Sequence, residues 1–189
     1  MLCRRGILFL TTLLPSVASA GSIGIYSTPL CSGTVSSVDP GQSLVLYVCA
    51  NTEPNQGWGT AIDSAEYRIV GLPSQWTPVV LPAPAAYFSI GSPFGDGVVI
   101  AMPEAAGCVL LHTLVILAAT SVDNLELAVV RPVVVHAPWG HPTDCPWLHY
   151  PCGAPCDVSG VCATSQNHTI NPTVGVETRT WSSAKALFR

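Results

Sequence analysis

Short apolar runs separated by turn residues make up most of the chain. In one of them Ala65, Tyr67 and Ile69 alternate with Glu66 and Arg68, the two-residue period of a half-buried β-strand. Runs of similar apolar, β-branched composition lie at residues 22–27, 43–50, 65–72, 77–81, 87–90, 97–102, 109–118 and 125–135. They show no helical period, and crossover helices for a parallel sheet are not visible. The pattern therefore predicts an all-β, antiparallel, immunoglobulin-like β-sandwich.

Two of these runs carry further information. Residues 109–118 form the longest apolar run, for which a strand is the favoured interpretation and a buried helix the alternative. Residues 77–81 include Pro78, which lacks a backbone N–H and is tolerated mainly in edge strands. We therefore expect the run at 77–81 to lie at the edge of a sheet.

The first 20 residues have the pattern of a secretory signal peptide. Arg4 and Arg5 precede an apolar stretch at 6–14, and an Ala-Ser-Ala cleavage site ends at Ala20. The alternative is a transmembrane anchor, but a bilayer span needs about 20 apolar residues, far more than this stretch offers. The pattern predicts a secreted protein that is extracellular or at the cell surface, with the periplasm as another possible location.

The C-terminal part of the chain has a different composition. Residues 138–172 are rich in Cys and Pro without periodicity, which predicts a loop-rich appendage held by disulfides. Residues 173–189 form a tail in which Thr180 is suited to cap a short helix. The predicted organisation is thus a signal peptide at 1–20, a sandwich at 21–137, the appendage and the tail.

Several stretches of the chain match a known pattern. They read IGIYSTPLCSG, AEYRIVGLPSQW, IGSPFGDGVVIAMPEAAGCVLLHTLVI, HPTDCPWLHYPCGAPCDVSGVCATSQNHTINP and VETRTWSSAKALFR. Together they resemble a family of uncharacterised secreted β-sandwich proteins of environmental bacteria, and the resemblance covers nearly the whole mature chain. It implies a fold and a location but no catalytic residues.

The most specific part of this resemblance is the C-terminal motif Trp-x-x-x-Lys-Ala-Leu-Phe-Arg, at Trp181–Arg189. The motif recurs at the extreme C-terminus of the resembling sequences. This recurrence motivates the hypothesis that export or surface-attachment machinery reads the segment. The alternative is that the segment docks on the sandwich.

Composition and charge exclude several classes of function. Charged residues make up 10% of the chain, with 7 Lys and Arg against 11 Asp and Glu, for a net charge of −4. The scarcity of basic residues argues against a nucleic-acid partner. The apolar content of 49% argues against intrinsic disorder.

Seven cysteines follow the signal peptide, and an odd number leaves at least one without an intramolecular disulfide. In the appendage we favour a small loop closed by Cys152 and Cys162. Cys31 is left to pair with either Cys108 or Cys49, and an unpaired Cys49 is expected to be buried as a small apolar residue. The disulfide candidates are Cys31, Cys49, Cys108, Cys145, Cys152, Cys156 and Cys162.

The Cys/His-rich appendage also permits a metal-binding interpretation, because Zn²⁺ takes tetrahedral Cys and His ligands. The spacing lacks two C-x2-C pairs, and export favours disulfides over thiolates, so we predict no cofactor. The candidate ligands of the metal alternative are His141, Cys145, His149, Cys152, Cys156 and Cys162.

Catalytic motifs are not found. The sequence contains neither a G-x-S-x-G elbow nor a phosphate-binding glycine loop. His112 interrupts an apolar run, and we expect it to hydrogen-bond within the core or to face the other side of the sheet. A hydrolase that uses His141, Asp144 or His149 is the weaker alternative, and we assign no catalytic residue.

Tryptophans in or beside predicted loops are the remaining candidates. Trp58, Trp76, Trp139 and Trp147 stand near Gly or Pro, where an exposed ring could stack on a sugar or a peptide. The alternative is that they cap the ends of the sandwich or pack under the Cys/His-rich C-terminal part. The sequence therefore favours a non-enzymatic binding or structural module with an extracellular protein or glycan as partner, no nucleic acid and no membrane span.

Overall fold

The structure is a computed structural model, and it describes residues 21–52, 61–133, 145–151 and 160–173. Within these ranges all regular structure is β. The strands are β1 (Ser22–Tyr26), β2 (Val35–Ser36), β3 (Ser43–Asn51), β4 (Ala61–Val70), β5 (Thr77–Pro82), β6 (Phe88–Ser92), β7 (Gly97–Ala106), β8 (Cys108–Leu117), β9 (Leu125–Val130), β10 (Trp147–His149), β11 (Gly160–Cys162), β12 (Thr164–Gln166) and β13 (His168–Ile170).

Two sheets pack face to face. The five-stranded sheet has the order β12-β1-β3-β8-β5. The second sheet has the order β11-β10-β4-β9-β13-β2, with β7 also pairing β4 and β6 pairing β7. Pairing is antiparallel except for β1 with β12 and β2 with β13. The all-β prediction is confirmed.

The alternation of apolar residues explains why residues 109–118 form a strand. Leu114 and Ile116 are fully buried between the sheets, while Thr113 and Val115 between them are only half-buried. This two-residue period belongs to a strand, since a helix would bury residues three and four apart. The run is β8, and the helix alternative is excluded.

Strand β5 lies at the end of the five-stranded sheet, as the proline predicted. Pro78 pairs with Ile116 and Pro82 with His112 of β8, the neighbour of β5 in the sheet order. The missing N–H groups of the two prolines leave two fewer donors for a further strand.

The C-terminal part differs from the loop-rich appendage that was expected. Its described residues form β10 to β13, which extend both sheets of the sandwich. Leu148 pairs with Ala65 of β4, and Leu148, Tyr150 and Ile170 are buried in the core. Each of these strands has only three residues, too few for a period to be visible in the sequence.

The predicted signal peptide at 1–20 and the predicted helix after Thr180 lie outside the described residues. In the described part of the chain, no helix is long and apolar enough to cross a bilayer.

Candidate functional site

The outer surface of the five-stranded sheet carries rows of apolar side chains. The register places Val45, Val115 and Val79 in one row across β3, β8 and β5. Val79 is 52% exposed, and Leu81, two residues further along the edge strand, is 49% exposed. We call the outer apolar face the group Val45, Tyr47, Val79, Leu81, Thr113, Val115 and Leu117.

This face exists because β3 and β8 are apolar on both sides. Leu46 and Leu114 point into the core, while their neighbours Val45 and Val115 point outwards. An antiparallel sheet with one face in water normally alternates apolar and polar residues. Here most outer positions are also apolar, which core packing does not require. The uncharged polar residues among them are Ser43, Thr77 and Thr113.

The outer apolar face is also uncharged. Strands β3, β5 and β8 contain no Asp, Glu, Lys or Arg. Large contiguous exposed apolar surfaces are typical of protein or membrane interaction sites and of ligand-binding grooves. Because Pro78 and Pro82 lack the N–H groups that an added strand would need, extension of the sheet at this edge is disfavoured.

A second exposed apolar strand follows β5 in the chain. Phe88 and Ile90 of β6 pair with Ala101 and Val99 of β7, and both are at least half exposed. Tyr87, just before this strand, is more exposed still. The chain thus passes directly from one exposed apolar strand to another.

The tryptophans that the structure describes are buried rather than exposed. Trp76 is 3% exposed, and its indole nitrogen donates to the carbonyl of Thr120 at 3.1 Å. Trp147 is 7% exposed and packs near His149, with ring centroids 6.0 Å apart. Neither ring can stack on a ligand from solvent: Trp76 lies just before β5, and Trp147 lies within β10, with its ring over Gly160. Trp58 and Trp139 lie outside the described residues.

Cys145 and Cys162 form a disulfide, so the pairing of Cys162 with Cys152 is wrong. The bond removes two thiolates from the candidate zinc ligands. The pair is separated by 17 positions, and closing a loop of that size stabilises the fold by about 3 kcal/mol in the chain-entropy model. Cys152 and Cys156 lie outside the described residues.

Of the histidine candidates for the metal and hydrolase alternatives, the structure describes His149. His149 is buried on β10, and burial lowers its pKa while the nearby charge of Asp63 opposes that shift. A buried, neutral imidazole is poorly placed for a reaction with an external substrate. His141 and Asp144 lie outside the described residues.

Cys31 and Cys108 form the second disulfide, which decides between the two partners left open for Cys31. Cys49 is an unpaired thiol, fully buried as predicted. Burial raises the pKa of this thiol to about 11. All three sulfur atoms lie within 4.8 Å of one another.

A hydrogen-bonded chain of three side chains runs from the exposed Ser89 through the buried His112 to the buried Tyr67 and crosses between the two sheets. Ser89 Oγ lies 3.0 Å from Nε2 of His112, and Nδ1 of His112 is hydrogen-bonded to the Tyr67 hydroxyl. Burial lowers the pKa of His112 to about 4 and raises that of Tyr67 well above its usual value. His112 is therefore a core residue that satisfies both ring nitrogens within the protein, in agreement with the expectation.

The hydrogen-bonded series Ser89–His112–Tyr67 has the order of a Ser–His–acid triad but lacks the negative charge of the acid. A triad needs an anion beside the imidazole to stabilise the positive charge that forms when the histidine takes the serine proton. Tyr67 is neutral at physiological pH and occupies that position. The arrangement links β6, β8 and β4 rather than activating Ser89.

His168 has a comparable structural role in the C-terminal part. Its Nδ1 donates to the carbonyl of Ile25 at 3.3 Å, since a carbonyl can only accept. Its Nε2 then accepts from the Ser36 hydroxyl at 2.9 Å. Burial lowers the pKa of His168, although the bond to Ile25 opposes this shift. The residue ties β13 to β1 and β2.

No protein-family model matches the chain, and no curated protein is similar to it in sequence. Among solved structures, it is similar to a cohesin module from the family 33 glycoside hydrolase of Clostridium perfringens ATCC13124. The TM-score is 0.52 at 10% identity, over 82% of this chain and 98% of that module. The chain therefore has a cohesin-like β-sandwich fold.

The seventh ScaB type I cohesin from Pseudobacteroides cellulosolvens also matches, with a TM-score of 0.49 and 8% identity. That match covers 85% of this chain and 97% of the cohesin.

Proposed function

We propose that the chain is a secreted or cell-envelope, non-enzymatic binding module that holds a partner protein on its outer apolar face. The observation that carries the proposal is the exposure of uncharged, apolar side chains on β3, β5 and β8. The likeness to a cohesin module supports the scaffold, which is a β-sandwich of similar extent.

The chemistry of the face favours a protein over a glycan. Sugars are bound largely by stacking on aromatic rings, whereas the exposed positions of this face are mainly Val and Leu. A partner must present apolar, uncharged groups, because a charge buried against this surface would lose its hydration without gaining a counter-charge.

Secretion is part of the same proposal. The two disulfides, Cys31–Cys108 and Cys145–Cys162, fit an oxidising compartment, and residues 1–20 supply the export signal. The Trp181–Arg189 motif acts, in this proposal, as the address for export or surface attachment. The intact mass of the secreted protein tests both ends, because it shows whether residues 1–20 and 181–189 have been removed.

The binding surface is tested with the double variant Val79→Lys/Leu81→Lys. Both side chains are half exposed, so the fold should persist, while two lysines on the face should weaken binding of an apolar partner at least tenfold. The matched control is Val35→Lys, an equally exposed valine on β2 of the other sheet. The measurement is saturable capture of secreted proteins from the same culture by the three immobilised proteins.

A protein captured by the native chain and by the control variant, but not by the double variant, supports the proposal. Equal capture by all three proteins contradicts it. Sedimentation is a further check. If the native chain is a dimer and the double variant is a monomer, the molecule bound to the face is a second copy of the chain. Retention by a glycan column that depends on the face would replace the protein partner with a sugar.

A further inference from the structure

The free thiol of Cys49 lies beside the Cys31–Cys108 disulfide, with the three sulfur atoms within 4.8 Å of one another. We propose that these three residues form an intramolecular thiol–disulfide exchange site. In the exchanged form Cys31 is bonded to Cys49, and Cys108 carries the free thiol. The proposal is independent of the partner-binding function above.

The three cysteines come from different elements that meet at one turn. Cys31 lies in the turn between Thr28 and Ser32, whereas Cys49 is on β3 and Cys108 begins β8. The carbonyl oxygen of Pro29 lies 3.4 Å from the sulfur of Cys108 and 4.0 Å from that of Cys49. The turn is thus close to both strand cysteines.

Sheet register determines which new bond can form. Cys108 pairs with Asn51, and Cys49 pairs with Leu110, so the two strand cysteines are diagonal neighbours. Diagonal positions on adjacent strands are about 7–8 Å apart, whereas a disulfide spans about 4.4–6.8 Å between Cα atoms. The sulfur of Cys31, which lies 3.7 Å from the carbonyl oxygen of Ala50, is therefore the atom that changes partner.

The chemical step balances without an external reagent. The Cys49 thiol releases its proton to solvent, and the thiolate attacks Sγ of Cys31. The new Cys49–Cys31 bond forms as the Cys31–Cys108 bond breaks, and Cys108 leaves as a thiolate that takes a proton from solvent. One disulfide and one thiol are present before and after the step, so no oxidant or reductant is consumed.

Exchange moves the free thiol from a buried position to the surface. Cys49 is fully buried, whereas Cys108 is exposed and borders a cavity of about 380 Å³. The cavity is lined mainly by Ala, Pro, Val, Leu and Met side chains, with Glu104 as its charged residue. The exchanged form therefore presents a thiol that can be modified at the rim of an apolar cavity.

The thiolate population of Cys49 limits the rate. Burial raises the pKa of this thiol to about 11, so the thiolate fraction grows about tenfold for each pH unit below that value. The other titratable groups that interact with it are Tyr26 of β1 and Tyr67 of β4, whose pKa values burial also raises. Both phenols stay neutral up to pH 9, so exchange is expected to follow Cys49 alone over this range.

The test is alkylation of the unreduced full chain with N-ethylmaleimide at pH 7, 8 and 9, followed by acidification and peptide mapping. Cleavage before Asp39 separates Cys31 from Cys49, and cleavage before Asp63 and Asp96 separates Cys49 from Cys108. We expect label to accumulate on Cys108 together with a Cys31–Cys49 linked peptide. With the reagent in excess, so that exchange rather than alkylation limits labelling, the rate of labelling should rise about tenfold per pH unit.

The control variants are Cys49→Ser and Cys49→Ala, which remove the attacking thiol and change the side-chain volume little. In both variants Cys108 should stay bonded to Cys31 and unlabelled at every pH. Label on Cys49 with the Cys31–Cys108 bond intact would overturn the proposal. So would the absence of label on Cys108 at pH 9, or equal labelling of Cys108 in the variants.

Discussion

The strands between residues 21 and 133 and those between residues 145 and 173 enter the same core but depend on different information. Strands β3 and β8 have nine and ten residues, and their long apolar, β-prone runs are visible in the sequence. Strands β10 to β13 have three residues each and are ordered by their neighbours in the sheets.

The difference shows how the short C-terminal strands become part of the sandwich. Leu148 is buried because β10 adds to β4, and Ile170 is buried because β13 adds to β9. The chain passes from one sheet to the other within three residues, from Gln166 of β12 to His168 of β13. An isolated segment of this length has too few hydrogen bonds to be stable alone.

The largest expected effect tests whether the C-terminal strands share the core. We expect Leu148→Ala to lower the free energy of unfolding by about 2–5 kcal/mol, as expected for Leu111→Ala in β8, because both leucines are fully buried. Denaturant unfolding of the two variants measures this. The control is Leu81→Ala on the exposed edge, which should change stability by less than about 0.5 kcal/mol. If Leu148→Ala behaves like the control, the C-terminal strands are not part of the cooperative core.

The next effect concerns acid stability, to which buried histidines in both regions contribute. His112 has a pKa of about 4 in the folded protein, against 6.5 when unfolded. The unfolded state therefore binds the proton first, and stability falls by about 3 kcal/mol as the pH drops from 6.5 to 4. Burial lowers the pKa of His168 in the same direction, so the C-terminal region adds to the loss.

Urea unfolding at several pH values checks this window. His112→Gln removes the titrating group, so the loss between pH 6.5 and 4 should shrink, although the variant is less stable at neutral pH. An unchanged pH slope would show that His112 is protonated at its ordinary pKa in the folded protein.

The smallest effect tests one side chain that joins the two regions. Asn171 accepts from the backbone N–H of Val38 at 2.8 Å and donates to the carbonyls of Val38 and Val122. Asn171→Ala should lower the free energy of unfolding by about 2 kcal/mol. The backbone groups lose their partner, and the alanine must adopt the positive φ of 51° at this position. Thermal unfolding is the measurement.

The control is Asn124→Ala, since Asn124 also has a positive φ, of 52°, but contributes a backbone N–H to Asn171. It should cost less than Asn171→Ala. Equal costs would assign the effect of Asn171 to backbone strain rather than to its hydrogen bonds.

The exposure of the outer apolar face could not be predicted from the sequence. Apolar, β-prone composition predicted β3 and β8, but both faces of these strands are apolar, so the pattern could not show that Val45 is exposed while Leu46 is buried. Loop position suggested exposed rings for Trp76 and Trp147, yet both are buried, and Trp147 belongs to strand β10. Exposure depends on which strands and loops cover a residue, and those are distant in sequence.

The sequence alone determined the all-β class, the long strands and the edge position of Pro78, because each follows from local periodicity or residue chemistry. Tertiary structure decided the partners of Cys31 and Cys162, the inclusion of β10 to β13 and the exposure of the outer apolar face. The physical reason is that these features depend on contacts between residues far apart in the chain, such as Cys31 with Cys108, which are separated by 77 positions. No local pattern encodes a distance of that kind.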